Sequence, residues 1–384
     1  MSYIRQHDAA LHFLAETTNY RKCGKLLSTE IQPNKTKHKT FINSSCLIIK
    51  INSVNFVLNK YQHRMALVNI PRLDLLHYTQ GTQEQRNQFI QDIGKAFNET
   101  GFVTIANHGL SKELIEELYQ VVPEFFGLPT ETKEKYEFPE LAGQRGYTAK
   151  GREKAKDAKT PDLKEFWQRG QTIVGEEYSK TDFPDNPEVA EIPRFNGVTA
   201  EVYKKLEDTG RELLKAIATY LDLEENYFEK YVINGNSILR AIHYFPISDP
   251  DALAPDAVRA GAHEDINLIT LLIGASADGL EVLTKDGEWF PIKAKGEDIV
   301  INVGDMLQRL TNNKLKSTTH RVVNPPREKM GTSRFSIPFF LHPKSTMSLA
   351  SLDSCIDAEH PKIYEDYTAG QYLDERLREI GLKM

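Results

Sequence analysis

Cysteine is scarce in this chain: Cys23, Cys46 and Cys355 are the only three in 384 residues. So few cannot form a disulfide framework, and a reducing compartment, the cytoplasm, is the expected home. Long apolar runs are missing as well. The longest, such as "LITLLIG" over residues 268–274, falls well short of the roughly 20 residues that cross a bilayer, so no membrane association is expected. A surplus of positive charge is also absent, because the formal net charge is -6. That excludes a nucleic-acid binder working through a general basic surface. There is no internal repeat and no low-complexity tract.

What is present is unevenly distributed. Residues 1–64 hold ten Lys/Arg against three acids, a balance of +7, so the remainder carries -13. The shift falls just before Met65, where "MALVNIPRLDL" begins a well-patterned segment. The expectation is that Met65 is the true initiator and that 1–64 is a disordered or wrongly included extension. Residues 65–230 read as a mainly helical region, with helical periods from about Glu84 and again from about Thr199 to Leu221. Between them, "GFVTIANHGL" reads as a short buried strand closed by a turn at His108-Gly109. A helix capped by Ser111 should follow. Residues 141–170, rich in glycine and lysine, read as an exposed loop, with a lid over a pocket as second reading.

From residue 231 to 345 the texture becomes short strands with turn signals between them. They are "SILRAIHYF", "NLITLLIG", "GLEVLT", "WFPIKA", "DIVINVG" and "RFSIPFFLHP", with Asp286-Gly287 as a hairpin turn. A sandwich or jelly roll is expected, and residues 346–384 return to a helical period.

One stretch there carries chemistry. In "HEDINLITLL", His263 and Asp265 are two apart, and on a strand side chains i and i+2 project from one face. Alone the pair is weak evidence, because chance predicts one or two His-x-acid pairs in a chain of this composition. Downstream, His320 follows a polar strand end, and Arg334 and Ser336 share a strand face opposite Phe335. Two imidazoles and one carboxylate offer three ligands to a first-row metal and leave the opposite coordination face open, as at non-haem Fe(II). His108 reads as a turn cap, and His243 and His342 as structural or surface residues.

These anchors, with "RGYTAKG", "DLKEFWQRG", "INVGDMLQRLTNNKLKSTTHRV" and "RFSIPFF", resemble the isopenicillin-N-synthase-like branch of the iron(II)- and 2-oxoglutarate-dependent dioxygenases. The resemblance covers about residues 66–384. It implies an α+β fold, a double-stranded β-helix (jelly roll) core with flanking α-helices. The family's metal-ligand pattern falls on His263, Asp265 and His320, and its Arg-x-Ser pattern on Arg334 and Ser336. The resemblance implies that 2-oxoglutarate chelates Fe(II) and sends its far carboxylate to Arg334 and Ser336. Tyr244 is a further candidate for that contact, although Phe245 beside it leaves open which ring faces the pocket. Asn267 is a candidate for the pocket lining and Arg240 for the core. The implied reaction couples decarboxylation of 2-oxoglutarate by O2 to oxidation, above all hydroxylation, of a small molecule. Two alternatives stand beside it: an oxidase of the same branch that uses O2 without 2-oxoglutarate, and a jelly roll that binds metal without turnover. Oligomeric state is not legible.

Overall fold

The computed structural model describes residues 70–153, 162–173, 184–251, 258–274, 279–292 and 296–383. The basic extension, the expected start at Met65 and the lysines at 154–159 lie outside the described residues. Twelve strands are formed among the described residues: β1 (Arg72–Asp74), β2 (Phe102–Ala106), β3 (Gly146–Thr148), β4 (Lys164–Gly170), β5 (Ile238–Tyr244), β6 (Ala260–His263), β7 (Ile269–Ile273), β8 (Leu280–Leu283), β9 (Trp289–Pro291), β10 (Ile299–Val303), β11 (His320–Val322) and β12 (Arg334–Leu341). They make an eight-stranded sheet in the order β1-β2-β10-β7-β12-β5-β4-β3 and a four-stranded sheet in the order β6-β11-β8-β9.

Helices α1 (Gln83–Glu99), α2 (Lys112–Phe126) and α3 (Pro193–Tyr220) cover one face of the large sheet, and the short α4 (Asp305–Leu310) and the C-terminal α5 (Ala369–Glu379) follow later in the chain. Thr82 caps α1 through a reciprocal capping box with Gln85, and the Ser111 hydroxyl accepts from Leu114 N at the start of α2. The apolar stripes of these helices pack on the large sheet in one continuous core that includes Phe97, Phe125, Trp167, Phe195, Leu271 and Phe339. Burying one such side chain contributes about 1.5–3 kcal/mol. The opposite face of the large sheet meets the small one. Phe166, Ile242 and Tyr244 from the large sheet cluster with Ala260 and Val322 from the small one. Phe102 and Val300 cluster in the same way with Val282 and Ile292. This is the jelly-roll, mixed α+β architecture expected from the sequence.

The region 65–230 holds α1, α2 and α3, yet it also supplies β1 to β4, which complete the large sheet on both sides. The exposed loop expected over 141–170 is corrected here. Lys164–Gly170 is a strand buried at every position, paired with β5 throughout. Its charged residues read as solvated because their partners are distant in the chain. Glu165 is 1% exposed and accepts from Lys133 Nζ at 2.8 Å and the Tyr147 hydroxyl at 2.5 Å, with His243 Nδ1 at 2.7 Å. A charge satisfied this way can be buried.

Candidate active site

The space between the two sheets is a cavity of about 360 Å³. Its walls follow from strand alternation. On β12 the inward positions are Arg334, Ser336, Pro338 and Phe340. On β5 they are Tyr244, Ile242, Arg240 and Ile238, with Arg334 opposite Tyr244 and Ser336 opposite Ile242.

His263 and His320 are direct cross-strand partners on β6 and β11, with ring centroids 4.5 Å apart. Asp265 is not on the strand, contrary to the expectation from its i, i+2 spacing. β6 ends at His263, and Asp265 sits in the connection to β7, where its carbonyl accepts from Asp305 N at 2.7 Å. The turn is held by its own polar side chains, and Asn267 Nδ2 donates to Ile269 O at 2.8 Å. The outcome is still convergence: one donor atom from each of His263, Asp265 and His320 lies within 4.8 Å of the others.

The surroundings divide the donors by role. His263 Nδ1 faces Gly261 O at 2.7 Å and His320 Nδ1 faces Thr318 O at 3.1 Å. A carbonyl only accepts, so the proton belongs on Nδ1 of each ring and the Nε2 lone pairs point at the shared space. Asp265 Oδ2 accepts from Thr270 Oγ1 at 2.6 Å and Asn302 Nδ2 at 2.8 Å. Its Oδ1 is left facing His263 Nε2 at 3.9 Å and His320 Nε2 at 3.8 Å. Burial, then the neighbouring His320 ring, pushes the His263 pKa down. Burial acts upward on Asp265, but the two imidazoles and the hydrogen bonds from Asn302 and Thr270 outweigh it and hold the carboxyl below its ordinary range. Two imidazoles, each with its Nδ1 held by a carbonyl, and one carboxylate with its Oδ2 held by two donors fit a divalent first-row metal.

At the other end, Arg334 is 1% exposed, and its guanidinium carbon lies 5.0 Å from the Tyr244 ring centroid. Tyr244 and Ser336 line the cavity. Phe245 instead lies against His243, with centroids 5.0 Å apart, so Tyr244 is the ring that faces the pocket. Arg259, not singled out in the sequence, is equally buried. Burial first, and then the charge of Arg334, lowers its pKa.

Several lining residues carry no signal in the sequence, Thr270, Asn302 and those of α5 among them. Thr270 and Asn302 sit on β7 and β10 in register with each other. Leu373, Arg376, Leu377 and Ile380, from α5 and the residue after it, close one side. Arg240 lines the cavity rather than the packed core, and His342 lines it too. Asn267 is fully buried in the ligand turn. His108 caps its turn as expected, with Leu110 N donating to Nδ1 at 3.4 Å and Nε2 at 2.7 Å from Glu297 O.

Residues 70–188 match the family described as non-haem dioxygenase in morphine synthesis N-terminal, and residues 235–343 match the 2OG-Fe(II) oxygenase superfamily. A 2-oxoglutarate-Fe(II) type oxidoreductase of Metarhizium rileyi is 32% identical over 322 residues, covering 79% of this chain and 89% of the relative. The chain belongs to the 2OG-Fe(II) oxygenase superfamily. A proline hydroxylase of Petromyces alliaceus is 32% identical over 321 residues, covering 81% of this chain and 99% of that one. Among solved structures, a 2OG-Fe(II) oxygenase family protein from Caulobacter crescentus superposes with TM-score 0.72 at 43% identity, over 81% of this chain and 99% of that one. Neurospora crassa T7H in complex with alpha-KG and thymine superposes with TM-score 0.72 at 29% identity, over 81% and 98%. This oxygenase is therefore an oxidoreductase that uses Fe(II), 2-oxoglutarate and O2. Of the three expectations drawn from the sequence, the 2-oxoglutarate-dependent one is the one its relatives share. Among the described residues no helix is long and apolar enough to cross a membrane.

Proposed function

We propose that His263, Asp265 and His320 hold Fe(II), that Arg334, Ser336 and Tyr244 receive the far carboxylate of 2-oxoglutarate, and that the enzyme hydroxylates a small molecule in the remaining cavity. The observation that carries this is the single free oxygen of Asp265 facing two lone-pair nitrogens. Bound iron supplies the O2-dependent oxidising power, with 2-oxoglutarate as the source of two electrons and succinate and CO2 as its products.

The protein's own residues do the rest. Thr270 and Asn302 hold Oδ2 of Asp265, so that Oδ1 stays aimed at the ligand position. The carbonyls of Gly261 and Thr318 fix both ring tautomers. Arg334 offers a planar fork suited to a carboxylate, and the Ser336 hydroxyl adds a donor. The mutual repulsion of Arg259 and Arg334 is what an incoming carboxylate would relieve. Phe102 and Phe340 supply apolar walls that limit water. The proline hydroxylase and the thymine-bound T7H among the relatives support a small-molecule substrate and an oxygen-insertion outcome. The low cysteine count supports a cytoplasmic setting.

The test is anaerobic titration with Fe(II) and 2-oxoglutarate, followed by admission of O2 and measurement of succinate. Stoichiometric binding of both and O2-dependent succinate are expected. Iron binding that survives Asp265→Ala would refute the ligand assignment.

A further inference from the structure

The roles assigned above leave one part of the cavity without a task, where β5 and the residue following β12 project toward the same space. We infer that Arg240 and His342 form a recognition subsite for the carbonyl oxygen of a small uncharged substrate such as an amide, lactam or imide. This rests on reading the cavity as the oxygenase active site.

Arg240 is committed on two of its three nitrogens. Its Nε donates to Gln168 Oε1 at 2.6 Å and its Nη1 to Glu153 Oε2 at 3.0 Å. Nη2 makes no hydrogen bond among the described residues. The guanidinium carbon lies 4.2 Å from the Phe166 ring centroid and 5.2 Å from that of Phe340, which holds the group in place. His342 continues the inward parity of β12 and lines the same cavity. Its Nδ1 is buried without a hydrogen-bond partner among the described residues. A buried N–H without an acceptor is rarer and costlier than a lone pair without a donor, so the ring proton sits on Nε2, toward the cavity. Burial drives the ring's pKa to about 4, so it is neutral near pH 7. Both residues line the one cavity with a donor that no protein group among the described residues takes up, and an acceptor is what they would bind.

The charge balance decides which acceptor. Arg240 is offset by Glu153, and Lys164 contacts Glu153 Oε1 at 2.6 Å and Asp162 Oδ2 at 2.8 Å. Two cations thus meet two carboxylates. Burial raises Glu153, but Arg240 and Lys164 outweigh it and bring its pKa to about 2, so it stays ionised. Glu264 also borders the cavity, and the one further cation on its wall among the described residues, Arg376, is already paired with Glu379. A substrate carboxylate would add an uncompensated negative charge here, whereas a carbonyl oxygen accepts both donors without one. Ile238, Phe340, Leu373, Leu377 and Ile380 provide apolar surface for the substrate's body.

The test uses the protein loaded anaerobically with Fe(II) and 2-oxoglutarate, with calorimetric titration of three probes: glutarimide, 2-piperidone and cyclohexanecarboxylate. The two neutral probes should bind roughly tenfold or more tighter than the carboxylate. Arg240→Met and His342→Leu should each weaken glutarimide by about tenfold, the effect of one lost hydrogen bond, while His342→Gln, which keeps a donor, should retain most of the affinity. The 2-oxoglutarate affinity, read in the preceding titration, should stay within about twofold in the His342 variants. Tighter binding of the carboxylate, no binding of the neutral probes, or glutarimide affinity indifferent to both Arg240→Met and His342→Leu would overturn the inference. Failure of the wild-type protein to take up 2-oxoglutarate would be visible in that first titration and would refute the underlying active-site reading instead.

Discussion

Asp265 divides its two oxygens between two tasks, one satisfied by protein donors and one left for an ion. The partners of the first oxygen should therefore matter to the second. Replacing Asn302 with Leu removes a 2.8 Å hydrogen bond and should lower Fe(II) affinity by about 10–100-fold, as loss of such outer partners commonly does; anaerobic metal titration checks this. Arg334→Met should act at the opposite end. It should raise the 2-oxoglutarate dissociation constant by about 10–100-fold, given ~1.5–3 kcal/mol for a hydrogen bond to a charged group, and leave Fe(II) affinity within a few-fold. His342 gives a pH signature in the metal-free protein. Its folded pKa is about 4 against an ordinary 6.5. The unfolded chain binds a proton that the folded one refuses, so the stability tied to this ring is complete above pH 6.5 and is lost as pH falls toward 4. At most about 3.5 kcal/mol is at stake. Urea unfolding at pH 7.5 and 4.5 should show a smaller loss of stability in His342→Gln than in wild type.

At the scale of elements, legibility tracks how far a residue's partners lie along the chain. The apolar alternation of β5, β7, β10 and β12 announces strands, and His263, Asp265 and His320 stand out by type. β4 did not, because "KEFWQRG" looks solvated until Lys133, Tyr147 and His243 arrive to satisfy Glu165. Asp265 was placed on the wrong element because side-chain bonds inside a turn leave no periodic signal. Thr270 and Asn302 were missed since nothing in the sequence couples them to a carboxylate. His342 and Arg240 could have been found: each shares its strand's parity with residues already assigned inward. The turn before α4 is a further vulnerable point. A Cβ on Gly304 would lie 2.2 Å from Asn267 O, while Gly304 N and Asp305 N bond Leu268 O and Asp265 O at 2.9 and 2.7 Å. Gly304→Ala should destabilise the fold by about 1–3 kcal/mol through overpacking and also weaken Fe(II) binding, measurable by urea unfolding and metal titration.

For the molecule as a whole, the site joins two sheets that also meet through two small apolar clusters. The resemblance recognised in the sequence extended over about residues 66–384, and the described residues from 70 onward fold as that resemblance implies. A ligand that binds only the folded chain adds about 2.7 kcal/mol at 100 times its dissociation constant. Saturating Fe(II) should therefore raise the melting temperature by several degrees, and Asp265→Ala should abolish the shift, as scanning calorimetry under argon would show.

His263 and His320 face each other across adjacent strands, so any ion they share doubles as a rivet through the smaller sheet. Stripping it with a chelator should let the amide protons of β6 and β11 trade with deuterium sooner, while those of β7 and β12 keep their pace. A pool of enzyme starved of iron would then differ from the charged form in how readily proteases open it, and metal supply would govern its lifetime as well as its turnover.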